Sequence, residues 1–184
     1  MNYLIDTNVF FDILMQIADP SKTSELLGWD DAKKGKCYIS HVTQIEIVSV
    51  IGKYARGRNM NWQSCQRQIQ TSDGTVGVCH HRWRSVEGTG KTWPTKKIRA
   101  VRKLVQDILS SDSPVWKVEI LPVDQEVWQE SSNFIEKAMK YSFGSLDAII
   151  AGTAKRYDDL LLRVVTKDKG FRVALQADGV PLLQ

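Results

Sequence analysis

Tyr3-Leu4-Ile5 runs directly into Asp6-Thr7-Asn8 and then into Val9-Phe10-Phe11-Asp12-Ile13-Leu14. The apolar triplet reads as a short strand. The stretch after it reads as a helix, because Val9, Phe10, Ile13, Leu14 and Ile17 form one stripe at helical spacing. That helix is expected to stop before Pro20, since the residue preceding a proline is driven out of helical geometry. Asp6 thus stands at the junction, directly after the strand.

The same alternation continues along the chain. A short helix is expected over residues 22–34, a strand over Cys37 to Ser40, and a helix from Val42 to about Arg56 with Val42, Ile45, Val48 and Ile51 as its apolar positions. Lys117 to Leu121 reads as a third strand ended by Pro122. Asp124 then caps a helix whose Val127, Ser131, Phe134, Ile135 and Ala138 share one face. Ser145 to Tyr157 reads as a helix with Leu146, Ile149, Ile150 and Thr153 inward, Leu162 to Val165 as a buried strand, and Val180 to Leu183 as a candidate last one. Short apolar runs separated by helix-period segments predict βαβ units around a mainly parallel sheet, an α/β fold.

The 184 residues are 42% hydrophobic and 25% charged, enough for one domain with a packed core, which excludes disordered and collagen-like chains. The start has no basic segment before its apolar run, and charges interrupt every apolar stretch before it reaches the roughly 20 residues of a membrane span. A cytoplasmic location is therefore expected. Cys37, Cys65 and Cys79 are odd in number and widely spaced, so a reducing compartment is expected and a disulfide framework is not.

The net charge of +4 conceals an uneven distribution. From Lys53 to Lys103 there are twelve Lys and Arg against two acids, Asp73 and Glu87, a net +10; the remainder holds thirteen against nineteen, a net −6. A segment of that charge points to a polyanionic partner. Residues from about 58 to 95 also break the strand and helix alternation. They hold Trp62, Trp83 and Trp93 and the turn-forming runs Ser72-Asp73-Gly74 and Gly88-Thr89-Gly90, and they read as an insertion followed by a basic helix over roughly 95–111. Within it, Cys65, Cys79, His80 and His81 offer two metal-ligand types, but their spacing matches no zinc knuckle. The tryptophans suit either base stacking or a small satellite core.

Four carboxylates fall at strand ends or helix starts: Asp6, Glu46, Asp147 and Asp168. In open parallel sheets, ligands bind beyond the carboxyl ends of the strands, so all four can converge on one cleft. Each also has a local structural use. Asp6 can cap the first helix, Thr43-Gln44-Ile45-Glu46 is a capping-box pattern, Asp147 complements a helix dipole, and Asp168 can make a turn. Together, uncompensated carboxylates repel each other unless a cation binds among them, and hard oxygen ligands suit Mg²⁺ or Mn²⁺.

Ile5-Asp6-Thr7-Asn8 after an apolar strand, Ile39-Ser40-x-x-Thr43-x-x-Glu46, Ser145-Leu146-Asp147-Ala148-Ile149-Ile150-Ala151 and Val165-Thr166-Lys167-Asp168-x-x-Phe171 resemble, in order, the four motifs of PIN-domain ribonucleases, including VapC-like toxins. The resemblance covers roughly residues 1–57 and 115–175. It implies a three-layer α/β/α sandwich, a single PIN-like domain over residues 1–184 interrupted by the insertion at about 58–95. It also implies metal-dependent hydrolysis of RNA to 5′-phosphate and 3′-hydroxyl ends. For the toxin branch it implies a homodimer and an antitoxin protein. Carried over residue by residue, Asp6, Glu46, Asp147 and Asp168 would be the catalytic, metal-binding acids, with Thr7, Asn8 and Thr166 supporting them. Asp12, six residues beyond Asp6, reads as a helix-surface acid. The RNA backbone would be held by the basic segment, with Arg82, Arg84, Lys96, Lys97 and Arg99 as candidates.

Two other functions compete with this reading. A non-catalytic RNA-binding or scaffold module on the same fold would be free to lose one of the four acids, and all are present. A HAD-like phosphatase needs an aspartate two positions after the first, where this chain has Asn8.

Overall fold

The computed structural model describes the whole chain except residues 25, 57–58, 66, 71–73, 79–81, 88–91, 111–112 and 184, together with the side chains of 56, 59–64, 69 and 82–87. The chain divides into two compact units, Met1–Val48 with Lys103–Gln184, and Ser49–Arg102. The insertion expected at 58–95 falls inside the second.

The first unit is built on four parallel strands, β1 (Asn2–Ile5), β2 (Lys36–Ser40), β7 (Val118–Leu121) and β8 (Leu162–Val165), in the spatial order β7-β2-β1-β8. Leu4 lies opposite both Tyr38 and Val164, and Ser40 opposite Leu121, which puts Leu4, Tyr38, Leu121, Leu162 and Val164 on one face. That face packs on Phe134 of α5 (Gln125–Ile135), Ile150 of α6 (Ser145–Arg156), and Phe171 and Leu175 of α7 (Lys169–Ala177). The alternate residues Ile5, Cys37, Ile39 and Val165 are buried as well. Burial on both faces is why these strands read as mostly apolar runs, with Glu119 of β7 and Arg163 of β8 as exposed exceptions. Alongside them, Phe10 of α1 (Thr7–Ala18) stacks on Trp116 at 5.3 Å, and Trp116 meets the edge of Trp29, the first residue of α2 (Trp29–Lys34).

Asp124 caps α5 as expected, accepting from the Val127 N–H at 2.8 Å. Other expectations need correction. The second helix is shorter than 22–34. In α3 (His41–Arg56) the buried positions are Thr43, Ile47 and Ile51, whereas Ile45 and Val48 are 70% and 61% exposed. The segment carries apolar residues all round, so spacing alone did not single out the inward face. α5 ends at Ile135 and passes into a 3₁₀ turn, Glu136–Met139, which leaves Ala138 exposed. Leu146 lies on the outer side of α6. Val180 to Leu183 contributes only a bridge, Leu182 beside Val164, on the open edge of β8.

In the second unit, β3 (Asn59–Ser64) pairs antiparallel with β6 (Arg82–Glu87), and β4 (Gln68–Gln70) pairs with β5 (Val76–Val78) between them in sequence. Trp62 is opposite Arg84 and Gln63 opposite Trp83, while the side chains of these residues and all of Cys79, His80 and His81 lie outside the described residues. The expected basic helix is present as α4 (Thr95–Leu109).

Gly152 of α6 lets that helix approach α5 closely. A Cβ there would sit 2.3 Å from Ser131 Oγ, 2.7 Å from the Val127 carbonyl oxygen and 2.8 Å from Ser131 N on α5. Two of these atoms are backbone, so no rotamer change relieves the clash. Gly152→Ala is expected to cost about 1–3 kcal/mol in urea unfolding. Adding Ser131→Ala should recover little of that loss; full recovery would show that only the hydroxyl obstructs.

Candidate active site

The chain moves outward from β1 through β2 to β7, then returns to lay β8 on the other side of β1. The order of strands therefore reverses between β1 and β8, and the crevice beyond their carboxyl ends is where such sheets bind ligands. Asp6 follows β1, and Thr166 and Asp168 follow β8.

Asp6 is 4% exposed. It caps α1, accepting from the Thr7 N–H at 2.6 Å, and its other oxygen accepts from the Thr166 hydroxyl at 2.7 Å. The Thr166 hydroxyl also accepts from the Asp168 N–H at 3.1 Å. Asp168 caps α7 through the Phe171 N–H, while Arg172 donates to the Thr166 carbonyl. Glu46 is reached from α1, where the Thr7 hydroxyl donates to it at 2.5 Å. The capping box expected at Thr43 does not form, because α3 begins at His41 and Thr43 is already inside the helix. Asp147 turns back on the start of α6 and accepts from the Gly144 N–H at 2.7 Å.

Burial pushes the Asp6 carboxyl up to about 6, against the Thr166 and Thr7 hydrogen bonds that hold it down, and the neighbouring Asp147 and Glu46 charges add to the rise. Burial likewise raises Asp147 despite its Gly144 bond, with Asp168 and Glu46 contributing. The four acids are thus close enough to feel each other's charge. Their carboxylates are turned onto the local backbone and hydroxyls, however, and among the described residues no three His, Cys, Asp or Glu side chains stand together as a ready ligand set. Glu46, Asp147 and Asp168 each keep one oxygen outside these hydrogen bonds. Donor type and uncompensated charge fit a hard divalent cation.

Of the expected supporting residues, Thr7 and Thr166 are in this network and Asn8 is an exposed residue outside it. Asp12 pairs with Lys167, the residue before Asp168. Sequence reading had no signal for that pair, because its members are far apart in the chain. Cavities of about 370 Å³, at the amino ends of β2 and β7, and 390 Å³, beside α2, contain none of the four acids.

No protein-family model and no curated protein matches this chain. Solved structures do. FitAcB from Neisseria gonorrhoeae superposes with a TM-score of 0.58 at 20% identity, covering 100% of this chain and 97% of that one. VapBC2 from Rickettsia felis, bound to a DNA fragment from their promoter, superposes at 0.53 and 12% identity, covering 100% and 98%. A toxin-antitoxin complex from Klebsiella pneumoniae lies further off, at 0.43 and 15%, covering 92% and 89%. The chain has the PIN-domain fold. The resemblance read from the four motifs is borne out at that level, as is the expected α/β class with a parallel sheet. On this PIN-like frame Asp6 and Asp168 stand at the strand reversal, Asp147 stands in the first turn of α6 and Glu46 in the second turn of α3. Among the described residues no helix is long and apolar enough to cross a membrane.

The Asp6 shift has a consequence for stability. A folded-state value of about 6 against an ordinary 3.8 means that the folded protein binds this proton more tightly than the unfolded chain does. Stability from this group is therefore present at about pH 4 and is lost as pH rises through 6, a swing of roughly 3 kcal/mol. In EDTA, Asp6→Asn should gain on the wild type by up to that amount between pH 4 and pH 7, measured by urea unfolding. A constant difference across the range would place the Asp6 carboxyl at its ordinary value.

Proposed function

We propose that this chain is a Mg²⁺- or Mn²⁺-dependent endoribonuclease and the toxin of a toxin-antitoxin pair. The observation that carries this reading is the buried Asp6 at the β1/β8 reversal, with Glu46 and Asp147 close enough to raise the cost of its charge and Asp168 close enough to raise that of Asp147. Carboxylates so placed are stabilised by a cation and accept one readily. The PIN-domain fold shared with FitAcB and VapBC2 supports the toxin part.

In this reading Asp6, Glu46, Asp147 and Asp168 hold the metal. A divalent ion supplies, when bound, Lewis-acid stabilisation of the charge that builds on a phosphodiester and activation of water for its hydrolysis. The protein's own part is alignment. Thr166 fixes the Asp6 carboxylate from the end of β8, and Thr7 holds Glu46 against α1. The caps made by Asp147 and Asp168 keep their carboxylates at helix starts. An RNA strand would be held by the basic segment, where Lys96, Lys97 and Arg99 are exposed. An antitoxin and a second copy of the chain are the expected protein partners, for which Ile45 and Val48 on α3 offer exposed apolar surface.

Asp147→Asn should abolish Mn²⁺-dependent cleavage of single-stranded RNA and leave the thermal midpoint in EDTA equal or higher, because one of several crowded carboxylates loses its charge. Full activity would remove Asp147 from the site. The wild type should also melt higher in Mn²⁺ than in EDTA, since the ion binds the folded cleft and not the open chain. An Asp6→Asn, Asp168→Asn double variant should lose that rise, and if it keeps the rise the ion binds elsewhere.

A further inference from the structure

Tyr54 and Trp93 stack with ring centroids 4.2 Å apart and planes within 3° of parallel. The pair is pinned by its backbone. Tyr54 lies in the last turn of α3, where helix carbonyls have no partner within the helix, and its carbonyl accepts from the Trp93 N–H at 3.1 Å. Lys97 Nζ stands 4.5 Å from the centre of the Trp93 ring, so this lysine is already engaged. Trp93 is half-buried, whereas Tyr54 is 44% exposed. The free aromatic surface of the stack is therefore Tyr54.

The charge around the stack is of one sign and unpaired. Lys96, Arg99 and Arg102 are exposed on α4, and among the described residues none has an acidic partner. Lys96 and Arg99, and Arg99 and Arg102, are three residues apart on one helix, where like charges are neighbours and cost stability. A polyanion relieves that repulsion. A flat exposed ring beside such a row suits a chain that carries both phosphates and accessible base faces, and in a duplex those faces are already stacked.

We propose that Tyr54, seated on Trp93, is a stacking platform for a base of single-stranded RNA, with Lys96, Arg99 and Arg102 on its phosphates. This rests on RNA as the substrate and names how the strand is gripped. Of the residues expected on the backbone, Lys97 instead braces the platform.

The test is binding of a short fluorescein-labelled single-stranded RNA to the full chain in EDTA, by fluorescence anisotropy, beside a strand of equal length with abasic riboses. Neither metal nor cleavage enters this measurement, so its outcome and that of the nuclease assay are independent. Tyr54→Leu should weaken binding of the base-bearing strand about tenfold, Tyr54→Phe should not, and on the abasic strand Tyr54→Leu should bind as the wild type does. Lys96→Ala with Arg99→Ala should weaken both strands and flatten the salt slope by about one unit. The proposal fails if Tyr54→Leu binds the base-bearing strand normally, or loses equally on both strands, which would make the stack a packing feature only. It also fails if the charge variant keeps its RNA salt slope but loses self-association in sedimentation, which would assign this face to a protein contact.

Discussion

The hydrogen bond from Thr166 to Asp6 joins the ends of β1 and β8, where the order of the parallel strands reverses. A buried carboxylate is tolerated only if its oxygens are satisfied, and both oxygens of Asp6 are, one by the helix it caps and one by Thr166. These two bonds favour the charged form, yet burial outweighs them and the carboxyl sits near 6. The balance matters because it leaves the site unfinished. A protein that needed Asp6 only as a helix cap would gain nothing from setting Glu46 and Asp147 within reach of its charge. Their presence makes the metal-free cleft a store of repulsion that a cation relieves, and this is the strongest physical argument for one.

The sheet was legible because strands buried on both faces are written as short, mostly apolar runs, and Tyr3-Leu4-Ile5, Cys37 to Ile39 and Leu162 to Val165, broken only by the exposed Arg163, are such runs. Helix faces were less legible where apolar residues exceed what the core needs. The segment from Val42 to Ile51 has Val42, Ile45, Ile47, Val48, Val50 and Ile51, and only packing selects Ile47 and Ile51 for the interior. Leu146 misleads in the same way at the start of α6. Asp124 was legible as a cap because its signal is local: a polar side chain just before a helical period.

The acids divide along the same line. Asp6 and Asp147 perform the local structural tasks that their sequence context suggests, and Asp168, read as a turn residue, caps α7, so the structural readings and the functional one are not exclusive. Glu46 is different. Its context suggested a bond back to its own helix, but its partner is Thr7, brought to it by the β1/β2 pairing. Long-range partners of this kind, and Lys167 with Asp12, have no one-dimensional signature.

Charge segregation gives the two halves of the chemistry separate dependences. The acids belong to a part of the chain with net charge −6, while the +10 segment holds Lys96, Arg99 and Arg102 with no acidic partner among the described residues. Grip on a polyanion comes mainly from releasing its condensed counterions and falls steeply with salt. Asp6, which is buried, and Glu46 and Asp147, which are half-buried, are less screened than the exposed basic row, since screening acts most on solvent-exposed charges. Raising the ionic strength therefore acts first on how tightly a strand is held and only weakly on the cleft, and substituting the acids does the reverse. Tyr54 adds a third component, because stacking is sequence-tolerant and does not depend on counterions. A strand held partly by such a ring keeps a residual grip at salt concentrations where its phosphate contacts have weakened.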